Sequence, residues 1–203
     1  VYKRQRLART EHMFFGQDRI LEMRRLILAD NEEEIKIALK LLLHFQEEDF
    51  YQMFQAVQDK PMIIRLLDPP MHEFLPKDPQ EIKLLAEKLH KSPEKLARQI
   101  ENLQESNPML GHRGCRLGIT QPEIYKMQAE AIFRSAIRLH QEGLKINPKI
   151  MIPLIADKKE LDFVKSYLNE HIQCLFNEYE QKPFPYEIGT MIELPRACLT
   201  ADK

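Results

Sequence analysis

Four charged residues stand at matching points of a repeating pattern. Arg65 ends the apolar run Met62-Ile63-Ile64, and Glu193 ends Ile188-Gly189-Thr190-Met191-Ile192. Arg9 follows Leu7-Ala8, and Arg113 follows Asn107-Pro108-Met109-Leu110-Gly111-His112. If these runs are parallel strands, all four groups gather at one end of one sheet. The C-terminal ends of parallel strands are where such sheets bind ligands. A guanidinium holds a phosphoryl group through two parallel N–H bonds. A hard divalent cation such as Mg²⁺ takes one or two carboxylates plus phosphate oxygens. The spacing therefore points to a phosphoryl clamp beside a metal ligand. Structural ion pairs are the competing reading: Arg65 with Asp68 or Glu73, and Glu193 with Arg196. Spacing alone does not decide between them.

Other reactive side chains carry less. His12, His72 and His112 all fall near expected strand ends, but they lack the close ligand spacing of a zinc site. Cys115, Cys174 and Cys198 are far apart and odd in number, with no CxxC pair. They suggest free thiols in a reducing compartment. A catalytic role for any of them has no support from neighbouring residues.

The elements that would position the charged groups alternate between helix and strand. Asn31 with Glu34 predicts a capped helix running to about Gln58. Asp78-Pro79 and Ser92-Pro93 each place a cap before a proline at the first helical position, opening two shorter helices. Thr120 with Glu123, and Asp157 with Glu160, predict helices ending near Gly143 and Tyr179. Pro195 opens a last short helix. The acidic run Glu32-Glu33-Glu34 suits a helix N-terminus. Between the helices lie short apolar runs, 62–67, 150–155 and 188–193, with 107–112 as a weaker strand. Met127, Ile132 and Phe133 belong to the expected core.

Repeated β–α units mean an α/β fold with a parallel sheet. A closed (β/α)₈ barrel needs about 250 residues. This chain has 203 residues, offers about five strands, and both ends fall inside elements. The expectation is a partial (β/α)₈ TIM barrel, truncated at both ends. Val1 to Gln5 resemble adapter-derived, non-native residues, leaving residues 6–203 as an incomplete barrel domain.

Composition bounds the function classes. Hydrophobic residues make up 43% and charged residues 30%, which is ordinary for a globular domain. The net charge of −1 gives no basic surface for nucleic acid. The apolar runs are too short for a membrane span. No signal peptide pattern opens the chain. A cytoplasmic setting is expected.

Four stretches carry a resemblance: RTEHMFF at 9–15, RLLDPPMHEFLP at 65–76, NPMLGHRGCRLGIT at 107–120 and EIGTMIELPR at 187–196. Through them the chain, from about residue 6 to residue 203, resembles the C-terminal phosphoenolpyruvate (PEP)-binding domain of the pyruvate, phosphate dikinase family. Phosphoenolpyruvate synthase and enzyme I of the sugar phosphotransferase system share an arginine after the first strand. The RTEHMFF and DPPMHEFLP strings resemble the dikinases and not those relatives.

The resemblance implies a (β/α)₈ barrel in which Arg9 and Arg65 bind the phosphoryl group of phosphoenolpyruvate. Glu193 would bind Mg²⁺, which in turn holds the substrate's carboxylate and enolate oxygens. Arg113 would assist with the anion. The implied reaction interconverts ATP, phosphate and pyruvate with AMP, diphosphate and phosphoenolpyruvate. The phosphoryl group would travel on a carrier histidine in another domain of the same chain. That histidine, a second metal carboxylate with its neighbouring asparagine, and a cysteine acid have no counterpart among these residues. The fragment alone is therefore expected to be inactive, and the intact protein a homodimer. Two alternatives stand beside this: another PEP-utilising phosphotransferase with the same clamp, or a non-catalytic binding or scaffold protein.

Overall fold

The computed structural model describes residues 6–58 and 60–202. The segment proposed as adapter-derived, 1–5, lies outside the described residues. Four short strands form one sheet in sequential order, all parallel. They are β1 (Arg6–Arg9), β2 (Met62–Arg65), β3 (Pro148–Ile152) and β4 (Glu187–Thr190). Helices α1 (Gln17–Ile27) and α2 (Glu32–Val57) connect β1 to β2. Between β2 and β3 come α3 (Pro79–Leu89), α4 (Pro93–Leu103), α5 (Cys115–Thr120) and α6 (Pro122–Gln141). Helix α7 (Lys158–Glu178) leads from β3 to β4, and α8 (Pro195–Leu199) follows. Sequential parallel strands joined through helices make this part of a (β/α)₈ barrel.

Strand alternation sorts the sheet into two faces. Met62, Ile64, Ile150 and Ile152 are buried, on the face that the helices cover. Ile63, Arg65, Lys149 and Met151 on the other face are only partly buried. Against the covered face lie Leu42, Phe50 and Phe54 of α2, Ile132, Phe133 and Ala136 of α6, and Val164, Leu168 and Ile172 of α7, all in one apolar cluster. Each such large side chain contributes about 1.5–3 kcal/mol by leaving water. Polar threads cross this core. Ser135 Oγ donates to the Glu47 carbonyl at 2.7 Å, and Tyr125 OH donates to the Leu67 carbonyl at 2.9 Å. Helices α3 and α4 sit on a smaller cluster of their own, around Leu28, Leu85, Leu96 and Ile100.

Most helix starts follow their sequence signals. Asn31 accepts from Glu34 N–H, Asp78 from Gln80 and Glu81, and Ser92 from Lys95. Asp157 and Glu160 form a reciprocal capping box. The Thr120–Glu123 box does not form. Thr120 closes α5, and its hydroxyl donates back to the carbonyls of Arg116 and Leu117. Gln121 then takes the N-cap position of α6 without a side-chain capping bond, with Pro122 in the first turn. Helix α1 was not legible as a helix, since its cap, Gly16, has no side chain to signal it.

The weaker strand at 107–112 is also corrected. Pro108–Leu110 form a 3₁₀ turn, opened by Asn107, whose side chain accepts from Met109 N–H at 3.1 Å. A proline without an N–H, beside an asparagine that bonds its own backbone, favours a turn over a ladder. Met109 and Leu110 are exposed, at 59% and 76%, as a turn tip allows and a buried strand would not. The described residues thus hold four strands rather than five.

Candidate functional site

Register places the first two arginines. Arg9 pairs with Arg65, Arg65 with Met151, and Met151 with Gly189, so the four form one row across the sheet. Parallel partners in register point to the same face. The row lies on the face the helices leave uncovered. A Cβ added at Gly189 would meet nothing within 4 Å, which leaves that end of the row open.

Beyond the strand ends the chain turns sharply. The 3₁₀ turn Thr10–Phe14 brings Glu11 back beneath β2. There Arg65 pairs with the Glu11 carboxylate through Nη2, and with Asp68 Oδ2 through Nη1 at 3.0 Å. Arg113 reaches the same Asp68 oxygen at 2.9 Å, and its Nε donates to the Asp68 carbonyl at 3.2 Å. Arg113 arrives from the loop before α5, not from a strand end, yet joins the same group. Two guanidiniums and two carboxylates therefore balance one another in a largely dry place. Arg9 is exposed, and its charge is not balanced by a carboxylate among the described residues.

Of the two structural pairs expected for Arg65, the one with Asp68 forms. Glu11 was missed as a partner, because its approach depends on the 3₁₀ turn. The cluster is not self-satisfied. Thr10 Oγ1, Glu11 Oε2, Arg65 Nε and Asp68 Oδ1 are buried without a hydrogen-bond partner. Four such atoms in one place call for an explanation, since buried polar atoms are nearly always paired.

Glu193 lies past the end of β4. Its Oε1 accepts the backbone N–H of Leu154 at 2.8 Å. The alternative pair with Arg196 is absent, because Arg196 bonds Asp157 at 2.8 Å. The carboxylate is exposed, so its second oxygen is open to a ligand. A chain of backbone contacts ties it to the arginines. Gly114 N–H donates to the Asp68 carbonyl at 3.1 Å, and Cys115 N–H to the Pro153 carbonyl at 3.1 Å. Leu154, next to Pro153, holds Glu193. Gly114, Cys115 and Leu154 were not recognised as site residues. The glycine after Arg113 was the one signal in sequence, and Gly114 does adopt φ +56°.

A magnesium ion fits this arrangement as a shared guest. Glu193 offers one oriented carboxylate oxygen, and Mg²⁺ usually takes one or two carboxylates with substrate oxygens and water. No group of three or more His, Cys, Asp or Glu that could hold a metal occurs among the described residues. His12, His72 and His112 are not gathered into such a group among the described residues. Cys115 is buried, which pushes its thiol up to about 12, and the other two cysteines are exposed, free and outside this network.

Residues 6–203 match the family described as PEP-utilising enzyme, PEP-binding domain. The chain is 47% identical over 197 residues to pyruvate, phosphate dikinase of Clostridium symbiosum, covering 97% of this chain and 22% of the relative. It is 48% identical over 197 residues to the protein of that name from Giardia intestinalis, with the same coverage. With pyruvate, phosphate dikinase 1, chloroplastic, of Arabidopsis thaliana it shares 44% identity over 199 residues, or 97% of this chain and 21% of the relative. The chain thus spans about a fifth of the length of the curated relatives it matches. No helix among the described residues is long and apolar enough to cross a membrane. The match over residues 6–203 and the identity with these relatives show that the chain belongs to the family described as PEP-utilising enzyme, PEP-binding domain.

Proposed function

We propose that the intact protein interconverts ATP, phosphate and pyruvate with AMP, diphosphate and phosphoenolpyruvate, and that this chain supplies part of the PEP/pyruvate site. The observation that carries the reading is the row Arg9–Arg65, joined through Asp68, Gly114 and Leu154 to Glu193. It lies past the C-terminal strand ends, where parallel sheets bind ligands. The relatives' names favour the dikinase over other PEP-utilising phosphotransferases.

Arg9, which no carboxylate among the described residues balances, is the first docking point for the phosphoryl oxygens. Arg65 sits beside it in the same row. Arg113 adds positive potential behind Asp68. Donors fixed before the substrate arrives stabilise charge without reorganisation. Glu193 would hold Mg²⁺, which when bound supplies positive charge against the carboxylate and enolate oxygens of the substrate. The phosphoryl group would pass to a histidine carrier domain of the same chain. The proposal includes a homodimer in the cytoplasm; the free cysteines suit a reducing compartment.

The test is pyruvate formation from phosphoenolpyruvate by the intact protein. The dikinase reading expects it to require both AMP and diphosphate and to yield ATP. Turnover with AMP and phosphate but no diphosphate would assign a different PEP-utilising phosphotransferase. No turnover and no phosphoenolpyruvate binding would leave a scaffold.

A further inference from the structure

Leu154 carries an unusual backbone. Its φ is +64°, in the left-handed region that residues with a Cβ rarely occupy. Such a conformation costs about 1–3 kcal/mol and persists only where its surroundings hold it. Here both polar groups of Leu154 are engaged. Its N–H donates to Glu193 Oε1 at 2.8 Å, and its carbonyl accepts from Cys115 Sγ at 3.1 Å. The residue before it is held as well, because the Pro153 carbonyl accepts from Cys115 N–H. Gly114 makes the approach feasible: a Cβ there would stand 2.7 Å from the Leu154 Cβ. Cys115 is completely buried, and burial keeps its thiol protonated and able to donate.

We infer that Cys115 is a positioning residue: its thiol fixes the Leu154 peptide, and that peptide's N–H aims the Glu193 carboxylate. This rests on the reading of Glu193 as a metal ligand. The thiol is then neither a nucleophile nor plain packing. It is the donor that holds a strained peptide in the orientation Glu193 requires. Groups that orient a metal ligand typically change affinity by about 10–100-fold when removed.

The experiment uses the intact protein and two readouts that do not depend on turnover: hydrogen exchange at the Leu154 amide, and Mn²⁺ affinity in the presence of phosphoenolpyruvate. Cys115→Ala and Cys115→Val both remove the donor, and Val also fills the space. Cys115→Ser keeps a donor. The expected result is faster Leu154 exchange and about tenfold weaker Mn²⁺ binding in Ala and Val, with Ser near the unmodified protein. If Val behaves like the unmodified protein, the role is packing and the inference fails. It also fails if Ser is as impaired as Ala, or if neither readout moves in Ala. Should Ala fail to fold, the Val and Ser pair decides. Glu193→Gln separates the two levels. If it leaves Mn²⁺ binding intact, the reading of Glu193 falls and this inference with it. If it weakens Mn²⁺ binding while Ala and Val do not, only the inference falls.

Discussion

Asp68 Oδ2 lies 3.0 Å from Arg65 Nη1 and 2.9 Å from Arg113 Nη2, so one carboxylate oxygen bridges two guanidiniums from separate parts of the chain. Asp68 is only 4% exposed. Replacing it with Asn would leave two neighbouring positive charges with Glu11 alone to balance them. Removing one member of a buried charge network costs about 3–5 kcal/mol. Asp68→Asn should lower unfolding stability by an amount in that range, as measured by urea denaturation of the intact protein. A loss no larger than an ordinary surface change would mean that solvent already screens the cluster.

Arg9 gives the contrasting case. It is exposed, and no carboxylate among the described residues balances it. Arg9→Ala should leave unfolding nearly unchanged while weakening phosphoenolpyruvate binding. A charge-assisted contact is worth about 1.5–3 kcal/mol, on the order of ten- to a hundredfold in affinity. Arg9→Lys should recover only part of this, because an ammonium lacks the planar fork. Calorimetric titration with phosphoenolpyruvate checks both, and unchanged affinity in the alanine variant would remove Arg9 from the site.

Gly114 combines φ +56° with contacts that leave no room for a methyl group. Gly114→Ala would place a Cβ 2.7 Å from Leu154 Cβ and 3.3 Å from Asp68 Oδ1. The backbone term alone is about 1–3 kcal/mol. The variant should melt earlier and disturb both Arg113 and Leu154. Amide shifts or exchange rates confined to position 114 would contradict this.

Acid should loosen the α3–α4 unit first. Hydrogen bonds from Lys95 and then Lys91 hold the Asp30 carboxyl down at about 2. Lys91 also reaches Glu34 at 3.1 Å, tying this unit to the start of α2. A carboxyl whose folded value is depressed adds stability above its unfolded value, near 3.9. That stability is lost as pH falls from there through about 2. The site is near the surface, so solvent screens the effect and keeps it modest. Asp30→Asn should flatten the acid dependence of exchange in 79–103 without altering it in α6.

The local rules were legible where one residue type enforces them. Asn31, Asp78, Ser92 and Asp157 fixed helix starts, because a capping oxygen must satisfy backbone N–H groups three residues away or fewer. Apolar runs located β2, β3 and β4, because a strand covered by helices must be apolar on that face. Arg65 and Glu193 were conspicuous as charges at the ends of such runs. The failures were of another kind. The turn at Pro108–Leu110 looked apolar enough for a strand, but its proline and asparagine satisfy the backbone locally. Thr120 carried a cap signature that lost to its own preceding turn.

Local pattern was enough for the alternation of elements, the parallel α/β class and the residue types available for anion binding. Which charges meet came from folding. Glu11 reaches Arg65 across 54 residues of sequence, Arg113 reaches Asp68 across 45, and Glu193 reaches Leu154 across 39. Helical and turn periodicity act over a few residues, whereas these contacts follow from strand register and loop geometry. Only the folded sheet could show that Arg65 is neutralised while Arg9 meets no carboxylate among the described residues, and that a left-handed leucine holds the Glu193 carboxylate in place.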